Sequence, residues 1–173
     1  METGEEKKKT AAINRRVFIT HTVEIHAPAA RIFPLLCPVA EYDWISGWDC
    51  RIGFTASGVN EEGCIFMEQI MGPVLVGSPV ASTWVTTVHD ERNRHIRFVI
   101  FVHDQAVVRY DVRLEEQEGS KTRLAMNFEI TAVSEEFGSL DDEEIRGRIM
   151  VPVTFISGSL KHYCETGKML KAM

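Results

Sequence analysis

The apolar residues of this chain change period once, and that change constrains the fold more than any other feature of the sequence. Between Val17 and Val133 they recur at every second position in a series of short segments, whereas from Asp141 onward they recur at spacings of about 3.6. The first segment sets Val17, Ile19, His21, Val23 and Ile25 on one face and Phe18, Thr20, Thr22, Glu24 and His26 on the other, the pattern of a half-buried strand. Ala27-Pro28 stops it. Ala29 to Leu36 then reads as a short helix, with Pro28 near its first turn and Pro34 limiting or bending it.

Alternation resumes at Trp48, Cys50, Ile52 and Phe54, and the turn cluster from Ser57 to Gly63 leads into Cys64 to Met71, a hairpin. Gly72-Pro73 and Gly77-Ser78-Pro79 bound a loop. Four more strands are expected, over Ala81 to His89, His95 to His103, Ala106 to Glu116 and Lys121 to Val133, and their short polar connections make neighbours antiparallel.

In the last third, Ile145, Ile149, Pro152, Ile156, Leu160, Tyr163, Gly167 and Leu170 form the stripe of a long amphipathic helix. About 30 residues at 1.5 Å rise would make it about 45 Å long. Asp141 to Glu144 complement the positive end of its dipole, Ser139 with Asp142 is set out as a capping box, and Pro152 is expected to kink or restart the helix. The order strand, short helices, six strands, long helix has one natural packing solution. An α+β architecture results, in which a curved antiparallel sheet of about seven strands wraps its apolar face around the terminal helix and leaves a cavity between them.

Composition narrows the class. A chain of 173 residues with 45% apolar content suits one domain, expected over residues 15–173 behind a flexible tail of residues 1–14. A net charge of −6 argues against nucleic acid as a partner, and the apolar runs fall short of the roughly 20 residues of a membrane span. The amino-terminal residues carry charge of both signs and no apolar stretch, unlike a secretory signal. Cys37, Cys50, Cys64 and Cys164 contain no CxxC pair, which suits a reducing cytoplasm. His162 and Cys164, two apart on a helix, point to different faces, so no metal site is expected. No glycine-rich fingerprint follows a strand and precedes a helix, and no cofactor is expected.

With these elements in place, Val23-Glu24-Ile25-His26-Ala27-Pro28-Ala29-Ala30-Arg31-Ile32-Phe33 resembles the I-x-A-P-x-x-x-V-[FW] opening of the START-like superfamily, also called the SRPBCC or helix-grip group. The segment Leu35 to Trp48, the pair Ser57-Gly58, the block Glu62 to Phe66 and the closing His162 to Leu170 look like a bacterial branch of the same superfamily, so the resemblance covers nearly the whole chain. It implies a helix-grip fold with an internal pocket. Members include polyketide cyclase/dehydrase-like proteins, pollen-allergen-like carriers and lipid-transfer domains, so the resemblance does not imply one activity.

Candidate site residues follow from parity. His21 lies on the apolar face of the first strand and is either a satisfied core histidine or a ligand-binding or acid/base group. Glu68 is the other ionisable candidate, if the Cys64-Phe66-Glu68 face points inward; the opposite parity sends it to solvent. Trp44 and Trp48, in the broken segment CPVAEYDWISGW, form a lid at the mouth of the groove, serving either packing or ligand stacking. Trp84, Tyr110, Met126 and Phe128 project from apolar strand faces, with Ile156 and Tyr163 facing them from the helix. The expectation is an intracellular protein that binds a small, mostly apolar molecule, lipid or polyketide-like. The alternative is a cyclase/dehydrase-like enzyme with His21 as acid/base.

Overall fold

In the computed structural model, which describes residues 13–70, 77 and 80–171, the period-2 segments pair into a single antiparallel sheet. Its strands are β1 (Arg16–Ile25), β2 (Cys50–Phe54), β3 (Ile65–Glu68), β4 (Ser82–Asp90), β5 (His95–Val102), β6 (Ala106–Gln117) and β7 (Lys121–Ala132). They lie in the order β1-β7-β6-β5-β4-β3-β2. Short hairpins make β4 to β7 sequential neighbours, β3 pairs with β4, and β1 closes against β7 with His21 opposite Met126. Register shifts at Ile52/Phe54 and Thr86/Val88 break the ladder locally, and such bulges bend a sheet.

The inner face is apolar: β6 buries Ala106, Val108, Tyr110, Val112 and Leu114 while the intervening residues are more exposed. The outer face carries charge instead, with Arg16 paired to Glu129, Arg109 to Glu129, and both Arg97 and His95 to Asp111.

Two short helices, α1 (Ala29–Ile32) and α2 (Glu135–Gly138), flank the sheet, and α3 (Asp142–Thr166) packs across its inner face. At 25 residues, or about 37 Å, α3 is shorter than the sequence pattern suggests. Gly167, at φ 71°, ends it in the left-handed conformation that glycine adopts without steric cost, leaving Leu170 beyond the helix. Two further expectations are corrected. Pro152 does not restart the helix: it is buried within one continuous element. The N-cap is Asp141, which accepts from the Glu144 N–H at 2.8 Å, while Ser139 caps the C-terminus of α2.

Polar contacts fasten α3 along β1. Lys161 Nζ donates to the Glu24 carbonyl at 2.7 Å, the His26 N–H donates to Glu165 Oε1 at 2.9 Å, and Arg146 reaches the Phe18 carbonyl at 3.5 Å. Among the described residues no helix is long and apolar enough to cross a membrane. Of the expected tail, Ile13 and Asn14 are described, and Ile13 packs on the core.

Candidate functional site

The alternation that builds the sheet also sets one row of rings across its inner face. Phe66 of β3, Trp84 of β4, Phe98 of β5, Tyr110 of β6 and Phe128 of β7 follow one another at centroid separations of 5.3, 5.2, 5.8 and 4.4 Å. Each inward residue sits within reach of one on the next strand, so a row of this kind requires only a large side chain at every crossing.

The segment after α1 covers one end of this row. It runs through two 3₁₀ turns, Phe33–Leu35 and Ala40–Asp43, which proline spacing favours over a regular helix. Both indoles close back on the preceding turns: Trp44 Nε1 donates to the Leu35 carbonyl at 3.0 Å and Trp48 Nε1 to the Pro38 carbonyl at 2.8 Å. Asn60 ties the segment to the sheet, donating to the Leu36 carbonyl at 3.1 Å and accepting from Thr86 Oγ1 at 2.7 Å.

Between lid, rings and helix lies a cavity of about 50 Å³. The lid contributes Glu41, Trp44 and Trp48, the sheet contributes Glu68, Trp84, Tyr110 and Met126, and α3 contributes Ile156, Ser157 and Leu160. The space suffices for a few waters, so a larger guest enters only as the lid or helix shifts.

Glu68, Glu41 and Tyr110, with Ser157 beside them, give the cavity its chemistry. Glu68, only 1% exposed, accepts from Trp84 Nε1 at 2.9 Å and from the Ile70 N–H. Glu41 sits on the second 3₁₀ turn, half-buried as a residue but with its side chain lining the cavity. Burial pushes its carboxyl up to about 8, and the neighbouring Glu68 charge adds to the rise. Burial, with Glu41 contributing, also pushes the Tyr110 phenol well up. Among the described residues neither the Glu41 carboxyl nor the Tyr110 hydroxyl has a hydrogen-bond partner, and the lining contains no Lys, Arg or His.

Of the residues singled out from sequence, Trp44, Trp48, Glu68, Trp84, Tyr110, Met126 and Ile156 come together at the cavity. Phe128 is buried behind the stacked face of Tyr110, and Tyr163 is half-buried against the core; neither lines it. His21 also lies outside the lining. Its Nε2 is 3.0 Å from Ser157 Oγ, so it reaches the cavity only through that serine. Glu41 is the residue that strand parity could not find. Its signal was helical: it precedes Trp44 and Ile45 by three and four residues, which places all three on one side of a turn.

This architecture, a seven-stranded antiparallel sheet gripping a terminal helix, is the START-like helix-grip fold. The chain is similar to a START superfamily protein from Mycobacterium smegmatis, at 11% identity over 87% of this chain and 99% of that one, with a TM-score of 0.65. It is similar to the Zhui aromatase/cyclase from Streptomyces sp. R1128, at 14% identity over 90% and 100% of the two chains, with a TM-score of 0.63. A point mutant of Thalictrum flavum norcoclaurine synthase, in complex with a transition-state analogue, matches at 14% identity over 88% and 96%, with a TM-score of 0.67. No family model and no curated protein matches the sequence.

Proposed function

We propose that this protein binds a small, mostly apolar molecule between sheet and α3, in the cavity beneath Trp44 and Trp48. The observation that carries this reading is the composition of the lining: aromatic and aliphatic walls interrupted by Glu41, Glu68, Tyr110 and Ser157, the pattern of a site that buries a ligand body and orients it through few polar groups. The complex of norcoclaurine synthase with a transition-state analogue, and the aromatase/cyclase, support the reading by analogy of fold. Four free cysteines support residence in a reducing compartment such as the cytoplasm. Native mass spectrometry and calorimetry against aromatic polyketides and fatty acids test the reading. Aromatic compounds should be retained in preference to fatty carboxylates, which the Glu68 charge repels; failure to bind any apolar compound overturns it.

A second reading, an enzyme of the cyclase/dehydrase kind, is favoured by one observation. A carboxyl raised to about 8 in an apolar pocket can give or take a proton near neutral pH. That moves the acid/base role from His21 to Glu41. Turnover on a substrate panel should be lost in Glu41→Gln and retained in His21→Ala. Equal rates in wild type and Glu41→Gln exclude it.

A further inference from the structure

We propose that the cavity takes a ligand bearing a protonated amine, held by the Glu41 carboxylate and the Tyr110 hydroxyl as acceptors with Glu68 as a fixed negative neighbour; this rests on the cavity being a binding site.

Charge makes the first argument. Two carboxyl side chains line the space, and no Lys, Arg or His joins them there among the described residues. Glu68 already has its N–H donors from Trp84 and Ile70, which suit the charged form. A second negative charge at Glu41 is therefore opposed by repulsion and by burial, unless a cation arrives with the ligand. An anionic head group adds to the repulsion, and a neutral one does not relieve it.

Tyr110 is 8% exposed, lines the same cavity, and has no hydrogen-bond partner for its hydroxyl among the described residues. A buried phenol usually finds a partner, so its oxygen is available to the ligand. The surrounding Trp48, Trp84, Phe66 and Phe98 rings line the cavity, and a ring face, unlike a ring edge, favours a cation over an anion at short range.

The proposal carries a proton signature. The titratable groups facing Glu41 are Glu68 of β3, Tyr110 of β6 and, from β2, the Cys50 thiol, which burial raises; Asp43 on its own turn is exposed, and α3 presents Ile156, Ser157 and Leu160. At pH 7 the Glu41 carboxyl, raised to about 8, holds its proton. An arriving ammonium displaces that proton to solvent, so about one proton is released per ligand bound, and affinity rises up to about tenfold per pH unit as the pH climbs toward 8.

The test is calorimetry at pH 7, in two buffers of different ionisation enthalpy, with benzylamine, benzyl alcohol, toluene and benzoate as probes. Wild type should bind benzylamine about tenfold or more tightly than benzyl alcohol, release about one proton, and reject benzoate. Glu41→Gln should lose the proton release and the preference for the amine while still binding toluene, which shows its cavity to be intact. Tyr110→Phe should weaken the amine more than toluene. If benzyl alcohol or toluene binds as well as the amine and no proton is released, the amine proposal is overturned and the general binding reading stands. If none of the four binds, both fall.

Discussion

The indole N–H of Trp84 donates to Glu68 Oε1 at 2.9 Å, joining a ring of the aromatic row to the most deeply buried carboxyl of the cavity. Neither residue has solvent to turn to, since they are 7% and 1% exposed. Glu68→Ala should cost about 1–3 kcal/mol by leaving the Trp84 N–H without its acceptor. Glu68→Gln, which keeps a carbonyl oxygen in reach, should cost less. Urea midpoints for the two variants check this, and equal midpoints count against the bond as a determinant of stability.

A second expectation concerns Glu41 and pH. Its carboxyl is raised in the folded protein from the ordinary 4.5 to about 8, so between those values the folded state holds a proton that the unfolded chain has lost. Stability should fall as pH rises through that window. Glu41→Gln removes the titration. The variant should match wild type near pH 4 and exceed it at pH 8 by on the order of 2 kcal/mol, allowing for solvent screening. Thermal melts across that pH range measure it, and parallel curves for the two proteins would refute it.

The outer face should respond in the opposite sense. Burial opposes charge on Asp111, but hydrogen bonds from His95 and Arg97 outweigh it and hold the carboxyl below its ordinary 3.8. That contribution is present above pH 3.8 and is lost as pH falls through the folded value. Asp111→Asn should therefore destabilise by about 1–2 kcal/mol at pH 7 and progressively less in acid. A penalty that stays constant down to pH 2 would mean that the pairing is not its source.

The lid predicts an optical signal. Trp44 and Trp48 border the cavity and donate to the Leu35 and Pro38 carbonyls, so each Phe replacement should cost about 1–3 kcal/mol through an acceptor left without its donor. Fluorescence of wild type should change when an apolar ligand enters, and the change should shrink in Trp44→Phe or Trp48→Phe. A response of the same size in both variants would leave Trp84 as its source and the lid as scaffolding.

Legibility of the site in the sequence followed regularity of the backbone. Tyr110 and Trp84 lie in strands of 12 and 9 residues, where period-2 parity assigns a face without ambiguity. Glu68 ends a four-residue strand, too short for parity to settle its direction. Glu41 sits in a 3₁₀ turn within a proline-broken stretch, where its spacing of three and four residues to Trp44 and Ile45 is a single turn of signal and not a sustained period. His21 lies on the face that parity gives it, yet the helix meets that face with Ser157 and intercepts it, a contact between residues 136 apart that no local pattern contains. The same limit applies to Phe128, whose parity is inward but whose ring lies behind Tyr110.

The helix contacts along β1 have a consequence for the behaviour of the protein in concentrated solution. β1 ends the sheet, and a ten-residue strand with one unpaired side is a template on which another chain can add. Lys161, Glu165 and Arg146 occupy backbone groups at Glu24, His26 and Phe18 along the border of that strand. The opposite border, β2, is five residues long and bulged. The helix thus acts as a selvedge, finishing the long margin of the sheet against fibre growth, and loosening it to admit a bulky guest would unpick that margin at the same time.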